Sequence, residues 1–261
     1  MTPTGAGRFA DVRHLAETGS TNTDLLALAR AGAPEGVVLV TDHQTAGRGR
    51  RGRAWQAPPG SSLLVSALCR PPLPVTRAHL VAVAAGLAAA DAVAQVAGFR
   101  PGLKWPNDLV VDTASGSRKL AGLLAESVVE GPVLAAVVVG MGMNVRWPDP
   151  LPDDLAASAT AVDHLAGRTV TVDQLLSAWL AALDRRYGAL LADGGIEATA
   201  EAHRAACSTL GRRVSVELAD GAFEGEAVDV DEDGHLVVAA NGVTRRVAVG
   251  DVVHLRPADG V

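Results

Sequence analysis

Four arginines, Arg48, Arg50, Arg51 and Arg53, fall within six residues of the stretch QTAGRGRRGRAW (Gln44–Trp55), with Gly47, Gly49 and Gly52 between them. Glycine tolerates positive φ and lets backbone approach a ligand closely, so the stretch is predicted to be a loop. A guanidinium offers a planar fork of donors that fits carboxylate and phosphate oxygens. No Asp or Glu occurs from His43 through Ala90, so nothing nearby in sequence neutralises the cluster. The pattern predicts a mobile, uncompensated cationic loop suited to a ligand with several negative charges. Two plainer readings stand beside it: a solvated surface loop, and an arginine-rich contact to nucleic acid. The flanks favour a site, because GVVLVTD (Gly36–Asp42) and SSLLVSAL (Ser61–Leu68) read as buried strands on either side. Trp55 closes the loop, and its indole reads either as a cover for a flat heterocycle or as an ordinary core tryptophan.

The lysines mark two further places. Of 23 basic residues 21 are arginine, and the two lysines, Lys104 and Lys119, lie fifteen residues apart inside two motifs. A compact ammonium is hard to replace by a guanidinium where a small charged atom must be approached closely. In GLKWPNDLVV (Gly102–Val111), Lys104, Asn107 and Asp108 put a cation, an amide and a carboxylate at one bend, although the segment also reads as a plain hairpin turn. RKLAGLLAESVV (Arg118–Val129) starts with Lys119 and carries Gly122 where a side chain would obstruct close approach. PVLAAVVVGMGMN (Pro132–Asn144) is predicted to be a long buried strand. Its glycine spacing is not followed by a helix, which excludes a dinucleotide fingerprint. In Ser20-Thr21-Asn22, Thr21 or Asn22 is expected to cap a helix over Thr23–Ala31.

The elements that must position these groups follow from periodicity. A polar start, Met1–Gly7, is expected to be disordered, and strands are predicted at Arg8–Leu15 and Val37–Thr41. A long apolar helix covers Val75–Ala97, a short one Ala156–Leu165, and Thr171–Ala206 is helical with a break at Asp193–Gly195. Beyond Gly211 come five short strands, Val214–Leu218, Phe223–Asp229, Leu236–Ala240, Val243–Val247 and Val252–Leu255. Turns at Asp220-Gly221, Asp233-Gly234 and Asn241-Gly242 join them into a small antiparallel barrel. The expected division is 1–209 and 210–261.

Composition limits the function classes. The 261 residues carry a formal charge of −6. From Gly211 onward ten acidic residues face five arginines, so that part carries −5 and the rest is near neutral. Neither has the basic footprint of a nucleic-acid binder. Cys69 and Cys207 are too few for a disulfide framework or a zinc site. No signal-type start and no apolar run long enough to span a bilayer is read, so a cytoplasmic protein off the membrane is expected.

Taken in order, Ser20-Thr21-Asn22, Gln44 with AGRGRRGRAW (Ala46–Trp55), KWPND (Lys104–Asp108), KLAGLLAE (Lys119–Glu126) and GMGMN (Gly140–Asn144) resemble the biotin–protein ligases, over roughly residues 8–146. The resemblance implies an α+β fold with a mixed or antiparallel sheet, helices mainly on one face as in class II synthetases, and a C-terminal SH3-like barrel. It implies that biotin and ATP with Mg²⁺ form biotinyl-5′-AMP, and that biotin passes to a lysine of the carboxyl carrier domain of acyl-CoA or pyruvate carboxylases. Ser20, Thr21 and Gln44 would bond the ureido head, with Asn22 in the same motif. Arg48 and Arg50 would hold carboxylate and phosphates within the Gly47, Gly49 and Arg51 loop, and Trp55 would cover adenine. Asn107, Asp108 and Asn144 would position the nucleotide and its metal, beside Lys104 and Gly122. Lys119 would bridge carboxylate and α-phosphate, and Asp108 is the nearest base for the acceptor amine. Some relatives carry an N-terminal winged helix; with a strand expected from Arg8, the enzyme without the repressor is expected here, as a monomer or weak ligand-promoted homodimer. Lipoate or octanoate ligation is the alternative within the chemistry, and a nucleic-acid module using the arginine loop the alternative outside it.

Overall fold

The protein is described from a computed structural model, which covers residues 7–254 except 115, 149–150, 219–220 and 249. Residues 1–6 of the expected disordered start, the first residue of the Asp220-Gly221 turn and Leu255 lie outside the described residues.

Seven strands form one mixed sheet: β1 Asp11–Thr18, β2 Val37–Gln44, β3 Ser62–Cys69, β4 Gly102–Lys104, β5 Asp108–Thr113, β6 Gly116–Glu130 and β7 Val133–Asn144, in the order β1-β2-β3-β7-β6-β5-β4. β1 and β2 run parallel and every other neighbour is antiparallel. The central strands are buried on both faces, which is why they read as continuous apolar runs rather than alternations. Val38, Val40, Val137 and Val139 face a core shared with the long helices α2 (His79–Ala97) and α5 (Val172–Leu190). Val37, Leu39, Ala136 and Val138 face α1 (Thr21–Arg30) on the other side. Alternation at period two thus feeds two cores from one strand. Short helices α3 (Asp153–Ala156) and α4 (Val162–Ala166) follow β7, and α6 (Gly195–Ala206) follows α5.

The C-terminal strands are β8 Arg213–Leu218, β9 Gly221–Val230, β10 Leu236–Ala240, β11 Val243–Val247 and β12 Asp251–His254, antiparallel in the order β11-β10-β9-β8-β12. Val214, Val216, Leu236, Val238, Val247 and Val252 enclose a separate core. Asn241 and Gly242 both take positive φ, 51° and 77°, as the two-residue hairpin turn requires. The mixed fold with its SH3-like tail is the expected class.

Several local expectations are corrected. β1 starts at Asp11 rather than Arg8. The N-cap of α1 is Ser20, in extended backbone, so Thr21 and Asn22 are buried first-turn residues rather than caps. The single helix expected over Ala156–Leu165 is two, α3 and α4, because Ser158–Thr160 breaks away to pair with Lys119 of β6. The stretch Val75–Ala97 is, against expectation, long and apolar enough to cross a membrane. Its burial between the sheet, α5 and α6 accounts for that composition as a core helix. Cys69 is wholly buried, and burial pushes its thiol far above the ordinary range, as a structural thiol requires.

Candidate active site

On the α1 side, one end of the sheet is kept bare of side chains. Alternation along GMGMN points Met141 and Met143 into the main core and leaves Gly140 and Gly142 on the opposite face. Gly122 pairs with Gly142 across β6 and β7, and Ser66 of β3 pairs with Gly140. The floor is low because it must accept large groups. A Cβ on Gly142 would lie 2.4 Å from Trp55 Cε2, one on Gly140 2.2 Å from Asn22 Oδ1, and one on Gly122 3.1 Å from Lys119 Nζ. Trp55 therefore rests on the glycine floor as a half-buried wall rather than as a core residue. Gly142→Ala is expected to force the indole off that floor and destabilise the protein by about 1–3 kcal/mol, the usual cost of overpacking. Urea unfolding followed by tryptophan fluorescence measures it; an unchanged midpoint and spectrum would mean that the indole slides aside freely.

Above this floor is a cavity of about 300 Å³, and most of the expected residues meet there. Ser20, Thr21 and Asn22 line it from the start of α1, and Gln44 from the end of β2. Arg48, Gly49, Arg50 and Trp55 line it from the loop, Lys104, Asn107 and Asp108 from the β4–β5 turn, and Lys119 and Gly122 from β6. Both lysines of the chain thus reach one cavity. Arg51, at φ 54°, lines an adjoining cleft of about 520 Å³ instead. Gly47 and Asn144 stand outside the lining. Gly47 closes the loop, accepting from Trp55 N at 2.9 Å, with no room for a side chain beside Trp55 O. Asn144 is buried and its Nδ2 donates to Thr160 O at 3.1 Å.

The electrostatics differ from the sequence expectation in one respect. The arginine loop is compensated through space: Arg48 makes a two-pronged pair with Glu126 of β6, Nη2 to Oε1 at 3.0 Å and Nη1 to Oε2 at 3.2 Å. Glu126 is 78 positions away in sequence, so no local count could find it. Arg50 Nη1 donates to Asn107 Oδ1 at 3.4 Å, while Asn107 Nδ2 donates to Leu123 O at 2.8 Å and pins the turn to β6. Lys119 Nζ stands 2.8 Å from Asp108 Oδ1, outside the angular range of a hydrogen bond, so the contact is an ion pair; it also lies 5.4 Å from the Trp55 ring centre. Trp55 Nε1 is buried without a hydrogen-bond partner among the described residues.

The barrel supplies a further wall of the cavity, Glu217, Val252 and Val253, which no sequence motif marks. The β4–β5 turn is what holds the barrel there. Trp105 is buried in the barrel's core, its Nε1 donating to Gly234 O at 2.9 Å and its backbone N to Thr209 Oγ1 at 3.0 Å.

Cations and amides thus gather over a glycine floor in this cavity, an arrangement suited to a ligand with several negative charges. The chain belongs to the biotin/lipoate A/B protein ligase family, whose model matches residues 16–144, and a second model, the biotin protein ligase C terminal domain, matches residues 209–255. It is 41% identical to the biotin--[acetyl-CoA-carboxylase] ligase of Mycobacterium tuberculosis, over 97% of this chain and 92% of that one. The ligase of the same name from Paracoccus denitrificans is 33% identical over 86% and 92%. In fold the chain is similar to the biotin protein ligase of Aquifex aeolicus in complex with biotin and ATP, with a TM-score of 0.77 and 24% identity over 95% of this chain and all of the other.

Proposed function

We propose that the protein activates biotin with MgATP to biotinyl-5′-AMP and transfers the biotinyl group to a lysine of a biotin carboxyl carrier protein. The observation that carries this reading is the meeting of Arg48, Arg50, Lys104 and Lys119 with the amides of Gln44 and Asn107 around one cavity. A carboxylate is a poor electrophile, so one of its oxygens attacks the α-phosphorus of MgATP and pyrophosphate leaves. That step brings two anions together and crowds charge at phosphorus, which calls for fixed cations and amides rather than a protein nucleophile.

In this reading the ureido head of biotin meets Ser20, Thr21 and Gln44 at the buried end. Arg48 and Arg50 hold its carboxylate and the phosphates, Trp55 meets the adenine, and Asn107 and Asp108 position the nucleotide and the magnesium it brings. Lys119, steered by Asp108, reaches the α-phosphate. The acceptor lysine's amine then attacks the acyl carbon and AMP leaves, with Asp108 as the nearest carboxylate to take the proton. Carrier domains of acyl-CoA or pyruvate carboxylases are the acceptors, met in the cytoplasm, and the division of labour falls at residues 209 and 210. The test is exchange of labelled pyrophosphate into ATP, which should depend on biotin and Mg²⁺ and need no carrier. Exchange with lipoate or octanoate but not with biotin would overturn it.

The loop should report ligand directly. Arg51 and Arg53 are exposed and flank Gly52, so fixing them costs about 1–2 kcal/mol of backbone entropy per residue, which a bound anion helps to offset. Trypsin is expected to cut the ligand-free protein within Arg48–Arg53, giving fragments of about 50 and 210 residues. Biotin should slow the cut, biotinyl-AMP should slow it further, and ATP alone should protect less. A slow cut in the free protein, or a fast one that biotin leaves unchanged, would remove the ligand-ordered lid from the mechanism.

A further inference from the structure

The arginine loop is wired to the buried end of the cavity by a chain of hydrogen bonds that starts at Glu126. Glu126 Oε2 accepts from Asn22 Nδ2 at 2.9 Å, and the same nitrogen donates to Leu124 O at 3.1 Å. Asn22 Oδ1 accepts from Ser66 Oγ at 2.7 Å, Ser66 Oγ lies 2.8 Å from Thr21 Oγ1, and Thr21 N donates to Gln44 Oε1 at 2.9 Å. Asn22, Ser66 and Thr21 are buried, so each polar atom needs its partner here rather than in water. Gly140 is part of the arrangement, since a Cβ there would displace the Asn22 amide.

The direction of the chain follows from what each group can do. A carboxylate and a backbone carbonyl only accept, so they fix the Asn22 amide with its nitrogen toward Glu126 and Leu124 and its oxygen toward Ser66. That oxygen only accepts, so the Ser66 proton is committed to it. The single Thr21 proton is used within the network, toward Ser66 Oγ at 2.8 Å or Gln44 Oε1 at 3.2 Å, so Thr21 has only lone pairs to offer a ligand. Gln44 Oε1 is held by Thr21 N, which leaves its NH₂, on the Gly47 side, as the donor end of the amide. The site therefore presents an acceptor at Thr21 beside a donor at Gln44, the complement of a urea, whose N–H donates and whose carbonyl accepts. At its other end the same carboxylate holds the Arg48 fork by two bonds, leaving donors of that guanidinium for a ligand anion.

We propose that Glu126 is a positioning residue for biotin: it sets the donor and acceptor pattern of the head-group site and the place of Arg48 at once, with Ser66 as the relay. The inference rests on the reading above that Thr21 and Gln44 meet the ureido head. In the full-length protein, Glu126→Gln keeps the shape but leaves one oxygen where three donors now find two. Ser66→Ala breaks the relay without touching a charge.

Both variants are expected to raise the biotin Kd, measured by isothermal titration calorimetry, by at least about tenfold, the scale of losing a charge-assisted or buried hydrogen bond. Ser66→Ala leaves the Arg48–Glu126 pair intact, so its KM for ATP should stay within about twofold, although its urea midpoint falls because buried polar atoms lose a partner. Glu126→Gln also loosens Arg48, so its KM for ATP should rise as well. Thr21→Val serves as the control on the underlying reading. If it weakens biotin while Glu126→Gln and Ser66→Ala do not, the relay is wrong and the site reading stands. If Thr21→Val leaves biotin binding unchanged, the site reading itself falls. A rise of the KM for ATP in Ser66→Ala as large as its rise in biotin Kd would show that the network merely supports the fold, and would equally overturn the proposal.

Discussion

Lys119→Ala is expected to slow formation of biotinyl-AMP by about 10²-fold or more, the loss that follows removal of one preorganised donor from a developing charge. Lys119 has the geometry for that task. Its backbone is locked on both sides, N donating to Ser158 O at 2.8 Å and O accepting from Thr160 N at 2.9 Å, so the side chain leaves β6 from a fixed point. Its ammonium is then steered by Asp108 on one side and by the Trp55 ring on the other. With a side chain 37% exposed, its ion pair contributes little to folding, and the unfolding midpoint should hardly change. Lys119→Arg should rescue poorly. The Trp55 ring lies beside the ammonium, and the larger planar fork cannot take the same point between indole and carboxylate. The measurement is single-turnover adenylation with biotin and MgATP. Near-normal rates in either variant would reduce Lys119 to a surface charge at the start of a strand.

Trp105→Ala should have the largest effect on stability. The indole lies 3% exposed within the core of the C-terminal barrel, although the residue belongs to the β4–β5 turn of the main sheet. Removing it opens a cavity between the two cores and should cost about 3–5 kcal/mol, the range for deleting a buried aromatic side chain. The same indole anchors the turn carrying Lys104, Asn107 and Asp108, so activity should fall with stability. Trp105→Phe separates these roles: it keeps most of the volume but loses the bond to Gly234 O, for about 0.5–1.5 kcal/mol. Urea unfolding with both variants decides the matter. A Trp105→Ala midpoint close to that of the unaltered protein would mean that the barrel is seated by its surface ion pairs, such as Arg77 with Glu232 and Arg204 with Asp229, rather than by this side chain.

The sequence by itself determined which residues could do chemistry and which segments carry them. The four arginines with their glycines, the two lysines of an arginine-rich chain, and the continuous apolar runs of β2, β3 and β7 are local patterns, set by side-chain type and backbone freedom, and local patterns are legible in one dimension. So were the five barrel strands, because their turns are written in Asp-Gly and Asn-Gly pairs. What only the tertiary structure decided are the relations between segments far apart in the chain. Glu126 neutralises Arg48 across 78 positions and Ser66 meets Asn22 across 44. Trp105 reads as part of a polar turn yet belongs to a core built from residues a hundred positions later. Thr21 and Asn22 read as caps because capping is judged from neighbours; strand β6 and Ser66, brought beside them by the sheet, bury them and give their polar atoms other partners. A hydrogen bond or an ion pair depends on a distance of about 3 Å and on direction, and those are fixed by how strands pair and sheets stack, not by spacing along the chain.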